Sequence, residues 1–189
     1  MTSRRLILGM TMTLDGFIAG PNDETDWRLR SGDAGGKKWI EESLWQVGLH
    51  VVGRKSFEAW AGFWPASADP LAAPMNTIPK AVFTRQKSLD LSAYADNWAE
   101  AEVVNGDLAT EMARLKQQPG KDILAHGGVS FAQSLAAAGV VDEYRLFVHP
   151  VALGQGKALF AELAKPLELE LTSTTLFWSG VAAKIYRPA

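Results

Sequence analysis

From Arg4 to Met12 the chain runs almost without interruption through apolar side chains. A run that short and that uniform suits a strand buried on both faces, as in the middle of a parallel sheet. Similar short runs recur at His50-Val51-Val52, Ala81-Val82-Phe83, Glu102-Val103-Val104 and Asp122 to Ala125. Helical patterns fall between them. Lys37 to Gly48 sets Ile40, Leu44 and Val47 on one face, and Arg54 to Ala61 can open a second helix. Leu108 to Lys116 follows the turn and cap Asn105-Gly106-Asp107, and Gly127-Gly128 opens a helix to about Ala138. This alternation predicts parallel strands joined by right-handed crossovers. Glu143 to Val148, Glu168 to Thr174 and Trp178 to Tyr186 are strand-like with no helix between them, so they should pair antiparallel.

The expected fold is therefore α/β. Residues 1–189 should form a single three-layer domain, with a mixed, mainly parallel sheet, helices on both faces and antiparallel strands at the C-terminal end. Pro21 to Gly36, polar and Gly-rich, and Gly62 to Pro79, rich in Pro and Ala, read as two long loops.

Composition narrows the partners. Lys and Arg total 19 against 21 Asp and Glu, a formal charge of −2, so no electrostatic footprint for nucleic acid or an anionic membrane is present. A small-molecule substrate is the expected partner. There is no Cys, which removes disulfides, thiol nucleophiles, iron–sulfur clusters and Cys-type zinc sites together. Asp15 interrupts the apolar character of Met1 to Gly20, which reads as a core strand instead of a signal peptide. Nor does any run approach the roughly 20 apolar residues of a membrane span. The expected location is cytoplasmic.

Four polar or glycine-rich junctions lie just past the expected strand ends: Thr11 to Gly16, Gly53-Arg54-Lys55-Ser56, Thr84-Arg85, and His126-Gly127-Gly128-Val129-Ser130. Ligands of open α/β sheets bind outside the carboxyl ends of the strands, so the four could line one crevice. Gly53 to Ser56 joins a strand to a helix, where free N–H groups and the helix dipole favour an anion and Arg54 adds a charged fork. Gly127-Gly128 permits close approach of a pyrophosphate, and Arg85 could read a 2′-phosphate. Taken singly, a tight turn, a steric requirement of the turn and a lone surface arginine explain them equally simply.

Other signals fail. Gly154-Gln155-Gly156-Lys157 matches neither a P-loop nor G-x-G-x-x-G, and no G-x-S-x-G elbow accompanies His126-Gly127-Gly128. His50, His126 and His149 lack metal-ligand spacing and read as structural histidines, so no metal site is expected. Trp27 and Trp60 lie in or beside the loops around the crevice, where they could stack on a flat heterocycle or simply pack.

In order along the chain, Leu6 to Gly20, Val52 to Glu58, Val82-Phe83-Thr84-Arg85 and Gly127-Gly128 resemble the motifs of the dihydrofolate reductase superfamily. The stretch from Gly127 through Val141-Asp142-Glu143-Tyr144 to Gly156 is closer to the reductase domain of riboflavin biosynthesis. The resemblance implies NADPH as cofactor. Gly53, Arg54, Lys55, Ser56 and the junction Gly127, Gly128, Val129, Ser130 would hold its phosphates, and Thr84 and Arg85 the adenosine ribose with its 2′-phosphate. Thr11, Leu14, Asp15, Gly16 and Ile18 would line the nicotinamide side. It also implies a homodimer. Folate enzymes carry an acid shortly after a loop tryptophan. Here the nearest acid after Trp27 is Asp33, a proton-relay candidate that could equally cap a helix. The function implied is reduction of a small pterin- or aminopyrimidine-like substrate. The alternatives are an NADP(H)-binding module without turnover and a self-associating structural protein.

Overall fold

The computed structural model describes residues 3–189, so residues 1 and 2 of the expected Met1–Gly20 stretch lie outside the described residues. In chain order the elements are β1 (Leu6–Thr13), β2 (Phe17–Ala19), α1 (Ala34–Trp45), β3 (Leu49–Gly53), α2 (Arg54–Phe63), α3 (Ala72–Thr77), β4 (Lys80–Phe83), α4 (Asp96–Ala99) and β5 (Glu102–Val104). There follow α5 (Leu108–Gln117), β6 (Ile123–His126), α6 (Val129–Ala137), β7 (Glu143–His149), β8 (Lys157–Ala158), β9 (Leu169–Leu176) and β10 (Ala182–Pro188). Among the described residues, an eight-stranded sheet runs β5-β4-β3-β6-β1-β7-β10-β9. Its strands are parallel from β5 to β7 and antiparallel from β7 to β9. The mixed α/β sheet is the one expected.

Strand β1 sits between β6 and β7, and its apolar run explains why. Leu6 and Leu8 face one core with Val51, Ala81, Ile123 and Ala125, under Met112 and Leu115 of α5 and Leu135 of α6. Ile7 faces the other with Val52, Val82 and Leu124, against Leu44 of α1, Phe57 and Ala61 of α2, Met75 of α3 and Trp98 of α4. Both faces of β1, β3, β4 and β6 are therefore covered by helices, and each large side chain so buried is worth about 2 kcal/mol.

Three features depart from the expectation. The expected loop Pro21 to Gly36 contains a 3-10 turn over Asp26–Ser31 that buries Trp27, and Gly62 to Pro79 contains α3. Strand β2 pairs with β8, which the loop character of Gly154 to Lys157 concealed. The last strand begins at Ala182 because Phe177 and Val181 close a turn, with Phe177 N donating to Val181 O at 2.9 Å and Gly180 at φ +80°. Trp178, expected in that strand, is fully exposed on the turn.

Candidate active site

The parallel strands end level with one another. Gly53 lies opposite Phe83, Phe83 opposite Val104, and Gly9 of β1 opposite His126. Beyond these ends opens a cleft of about 1300 Å³. Its floor and one wall comprise Gly53, Arg54, Lys55, Ser56, Thr84, Arg85, Gly127, Gly128, Val129 and Ser130, so three of the four expected junctions converge. From the fourth, Thr11 reaches the cleft, as does Ile18, together with Gly9 and Met10.

Helix entry separates this cleft from the rest of the surface. Among the described residues, α1, α2, α5 and α6 are the helices of nine or more residues. Two are capped by aspartates: Asp33 accepts from Gly36 N in α1, and Asp107 from Thr110 N in α5. The other two, α2 and α6, start from Gly53 and Gly128 with no side-chain cap, and both open onto the cleft. Unclaimed N–H groups at two converging N-termini favour a bound anion.

The cationic side chains reinforce this. Arg54 Nη1 contacts both Glu58 oxygens at 2.8 and 2.9 Å, which orients its guanidinium along α2, while Lys55 and Arg85 also line the cleft. The opposite wall adds Arg28 and Arg145 beside Trp27, Trp39 and Phe147. Arg145 is held by Glu143 at 2.8 Å, and Arg5 and Arg187 reach the same buried carboxylate at 3.0 and 3.1 Å. The carboxylate in the lining is Asp23, already paired with Lys157 at 2.6 Å. The arrangement can hold an extended, multiply anionic ligand with a flat group against the aromatic wall.

Four expected site residues lie elsewhere. Leu14 is exposed, and neither it, Asp15 nor Gly16 lines the cleft. Asp15 instead ties two loops together: it accepts from Thr13 Oγ1 at 2.6 Å, Gly154 N at 2.7 Å and Leu153 N at 2.9 Å, bonds that hold its carboxyl below the usual carboxylate range. Asp33 takes the capping role. Its oxygens accept from Gly36 N at 2.7 Å and Ser179 N at 2.9 Å, which lowers its pKa, and it does not line the cleft. A proton relay through Asp33 is not what this placement provides.

Of the two tryptophans, Trp27 lines the cleft with its ring edge-on to His149 at 5.4 Å. Trp60 also lines it but works from below, packing on His126 at 4.9 Å under Gly127. His126 itself was read as structural, yet it borders the cleft and meets His50, with Nε2 2.6 Å from His50 Nδ1. The contact spans 76 residues, so no spacing rule could have found it. Burial pushes the His126 pKa down to about 4, with the charge of Lys80 acting in the same direction, and lowers that of His50 as well. Lys80 is lowered by burial to about 8; its Nζ donates to Ile78 O at 2.7 Å and lies over the Trp98 ring. Among the described residues, no cluster of His, Asp or Glu could hold a metal.

The RibD C-terminal domain family model matches residues 4–183, and the chain belongs to that family. It is 37% identical over 191 residues to the uncharacterized protein YyaP of Bacillus subtilis (strain 168), covering 98% of this chain and 96% of that one. It shares its fold with the diaminohydroxyphosphoribosylaminopyrimidine deaminase/5-amino-6-(5-phosphoribosylamino)uracil reductase of Thermotoga maritima, with a TM-score of 0.70 at 15% identity. That match covers 99% of this chain and 57% of the Thermotoga chain. The dihydrofolate reductase of Enterococcus faecalis, complexed with NADP(H), has a TM-score of 0.63 at 14% identity, covering 97% and 96% of the two chains. A dihydrofolate reductase-like fold is thereby shown. Among the described residues, no helix is long and apolar enough to cross a membrane.

Proposed function

We propose that this chain is an NADPH-dependent reductase of a small heterocyclic substrate, pterin- or aminopyrimidine-like, with residues 1–189 acting as one domain. The observation that carries the reading is the convergence of two glycine-entered, uncapped helix N-termini with Arg54, Lys55 and Arg85 along one cleft. The names of the relatives support it, one a uracil-derivative reductase and one a dihydrofolate reductase complexed with NADP(H).

The residues present suit such a cofactor. A Cβ on Gly53 would lie 3.1 Å from Phe131 Cβ, and one on Gly127 would strike Trp60, so glycine at both junctions lets the backbone close onto these two cleft-lining side chains. Gly53 to Ser56 and Gly127 to Ser130 would hold the bridging phosphates by backbone N–H groups. Thr84 and Arg85 would hold the adenosine ribose and its 2′-phosphate. When bound, the cofactor supplies the hydride. Thr11 and Ile18 would border its nicotinamide end, and Trp27, Trp39 and Phe147 would orient the substrate ring and exclude water. With Asp23 paired to Lys157 and Asp33 outside the cleft, the lining offers no free carboxylate to protonate a pterin. A substrate that takes its proton from water or a hydroxyl such as that of Thr11 is favoured.

The same placement of Asp33 favours a second reading, a module that binds NADP(H) without turnover. Following NADPH absorbance with a panel of dihydropterins, aminopyrimidine ribotides and quinones separates the two. Oxidation with one substrate class, at least tenfold above the background with NADPH alone, is expected. Tight NADPH binding with background oxidation throughout would decide for the module.

A further inference from the structure

His50 and His126 form a pair that the cleft description leaves without a role. Among the described residues, His50 Nε2 is a sealed side-chain nitrogen with no hydrogen-bond partner. It borders a void lined by Trp60, Lys80 and Trp98 that has no room for a water molecule. One proton is shared in the 2.6 Å contact between His50 Nδ1 and His126 Nε2, and its position decides what His126 offers the cleft.

If His126 donated, His50 would have to carry its own proton on Nε2, where nothing accepts it and the positive charge of Lys80 acts on the ring. A sealed N–H without an acceptor is the costlier arrangement, and the nearby cation favours a lone pair at that atom. If His50 donates from Nδ1, its Nε2 keeps the lone pair and His126 Nε2 accepts. The neutral His126 ring then carries its remaining proton on Nδ1. His126 ends β6, borders the cleft, and directly precedes Gly127 and Gly128 at the uncapped entry to α6.

We propose that His126 is a ligand-contacting residue whose Nδ1–H, fixed by His50 behind it, donates to a phosphate oxygen of the dinucleotide held at the Gly127-Gly128 turn. His50 is its positioning residue, because it touches His126 and not the ligand. The proposal rests on the NADPH reading above, and it adds an uncharged donor to the set of arginines and backbone amides. An uncharged donor keeps its strength across neutral pH, since both rings stay neutral there.

Two measurements test it together. Nitrogen-15 NMR of the free protein reads the tautomer of His126, and the expected state is Nδ1–H with Nε2 unprotonated. On adding NADPH, that Nδ1–H resonance should move downfield and exchange more slowly. Calorimetric titration of NADPH should show affinity about 10- to 100-fold weaker in His126→Phe, the loss of one hydrogen bond to a charged group. His126→Asn, which can return an amide donor, should recover part of it. Reduced nicotinamide riboside, which lacks phosphate, should bind wild type and His126→Phe alike, a result that a merely structural role for His126 would not give. An Nε2–H tautomer on His126, or NADPH affinity within twofold of wild type in a folded His126→Phe, overturns the proposal. If the wild-type protein binds no NADPH, the cofactor reading fails and the phosphate contact with it, while the tautomer still decides whether His50 fixes the ring.

Discussion

Gly127→Ala is expected to lower the melting temperature by about 10 °C, through a cost on the order of 3 kcal/mol. Gly127 sits at φ +76°, and a Cβ there would lie 2.3 Å from the Trp60 ring atom Cη2. The backbone strain costs roughly 1–2 kcal/mol and the displaced indole a further 1–3 kcal/mol. The entropy that alanine removes from the unfolded chain returns less than about 1 kcal/mol. Trp60 is also packed against the half-buried His126 ring at 4.9 Å, so its displacement disturbs that contact too. Adding Trp60→Leu to Gly127→Ala should therefore raise the melting temperature above that of Gly127→Ala alone. A single variant within about 2 °C of wild type by calorimetry would show that the turn carries neither constraint.

Acid should weaken the fold before the carboxylates titrate. His50 and His126 both have pKa values lowered by burial, to about 4 for His126, against the ordinary value of 6.5. Below pH 6.5 the unfolded chain binds protons that the folded one refuses, so stability is full above 6.5 and falls as the pH drops toward about 4. The folding equilibrium constant should lose about tenfold per pH unit for each histidine in that window. Lys80 does not contribute, since its own pKa of about 8 lies above the window and it stays charged through it. Urea unfolding at pH 7, 6, 5 and 4.5 measures the slope. His149, also lowered by burial, adds to the slope, so His50→Phe should flatten it by about a third or more, while a profile flat from 7 to 4.5 would mean that the pair is open to solvent.

What the sequence made legible was local. The run ending at Met12 lies where its apolar character requires, between β6 and β7, and the junctions at Gly53, Thr84 and Gly127 converge because parallel strands deliver their ends to one edge. Asp107 caps α5 as its position before an apolar pattern implies. The rest depends on contacts between distant segments. Asp15 reads as a site residue by its place after the first strand, but its carboxylate is claimed by amides at positions 153 and 154. Asp33 follows a loop tryptophan as a relay acid would, yet the spacing to Gly36 makes it a cap. The aromatic wall of Trp39 and Phe147 joins a helix to a strand more than 100 residues later, at a ring separation of 6.0 Å. Strand β10 inserts between β7 and β9, an order that periodicity along the chain does not encode.

In the proposed reading the cleft binds NADPH and Arg85 contacts its 2′-phosphate. Calorimetric titration of NADPH and NADH into the wild-type protein and Arg85→Ala measures that contact. Wild type should bind NADPH saturably, and NADH about tenfold or more weakly, the worth of a charge-assisted contact at the 2′-position. Arg85→Ala should bring the two nucleotides to within about threefold. No saturable NADPH binding, or equal affinity for both nucleotides in both proteins, would mean that the cleft is not a site for the 2′-phosphorylated dinucleotide.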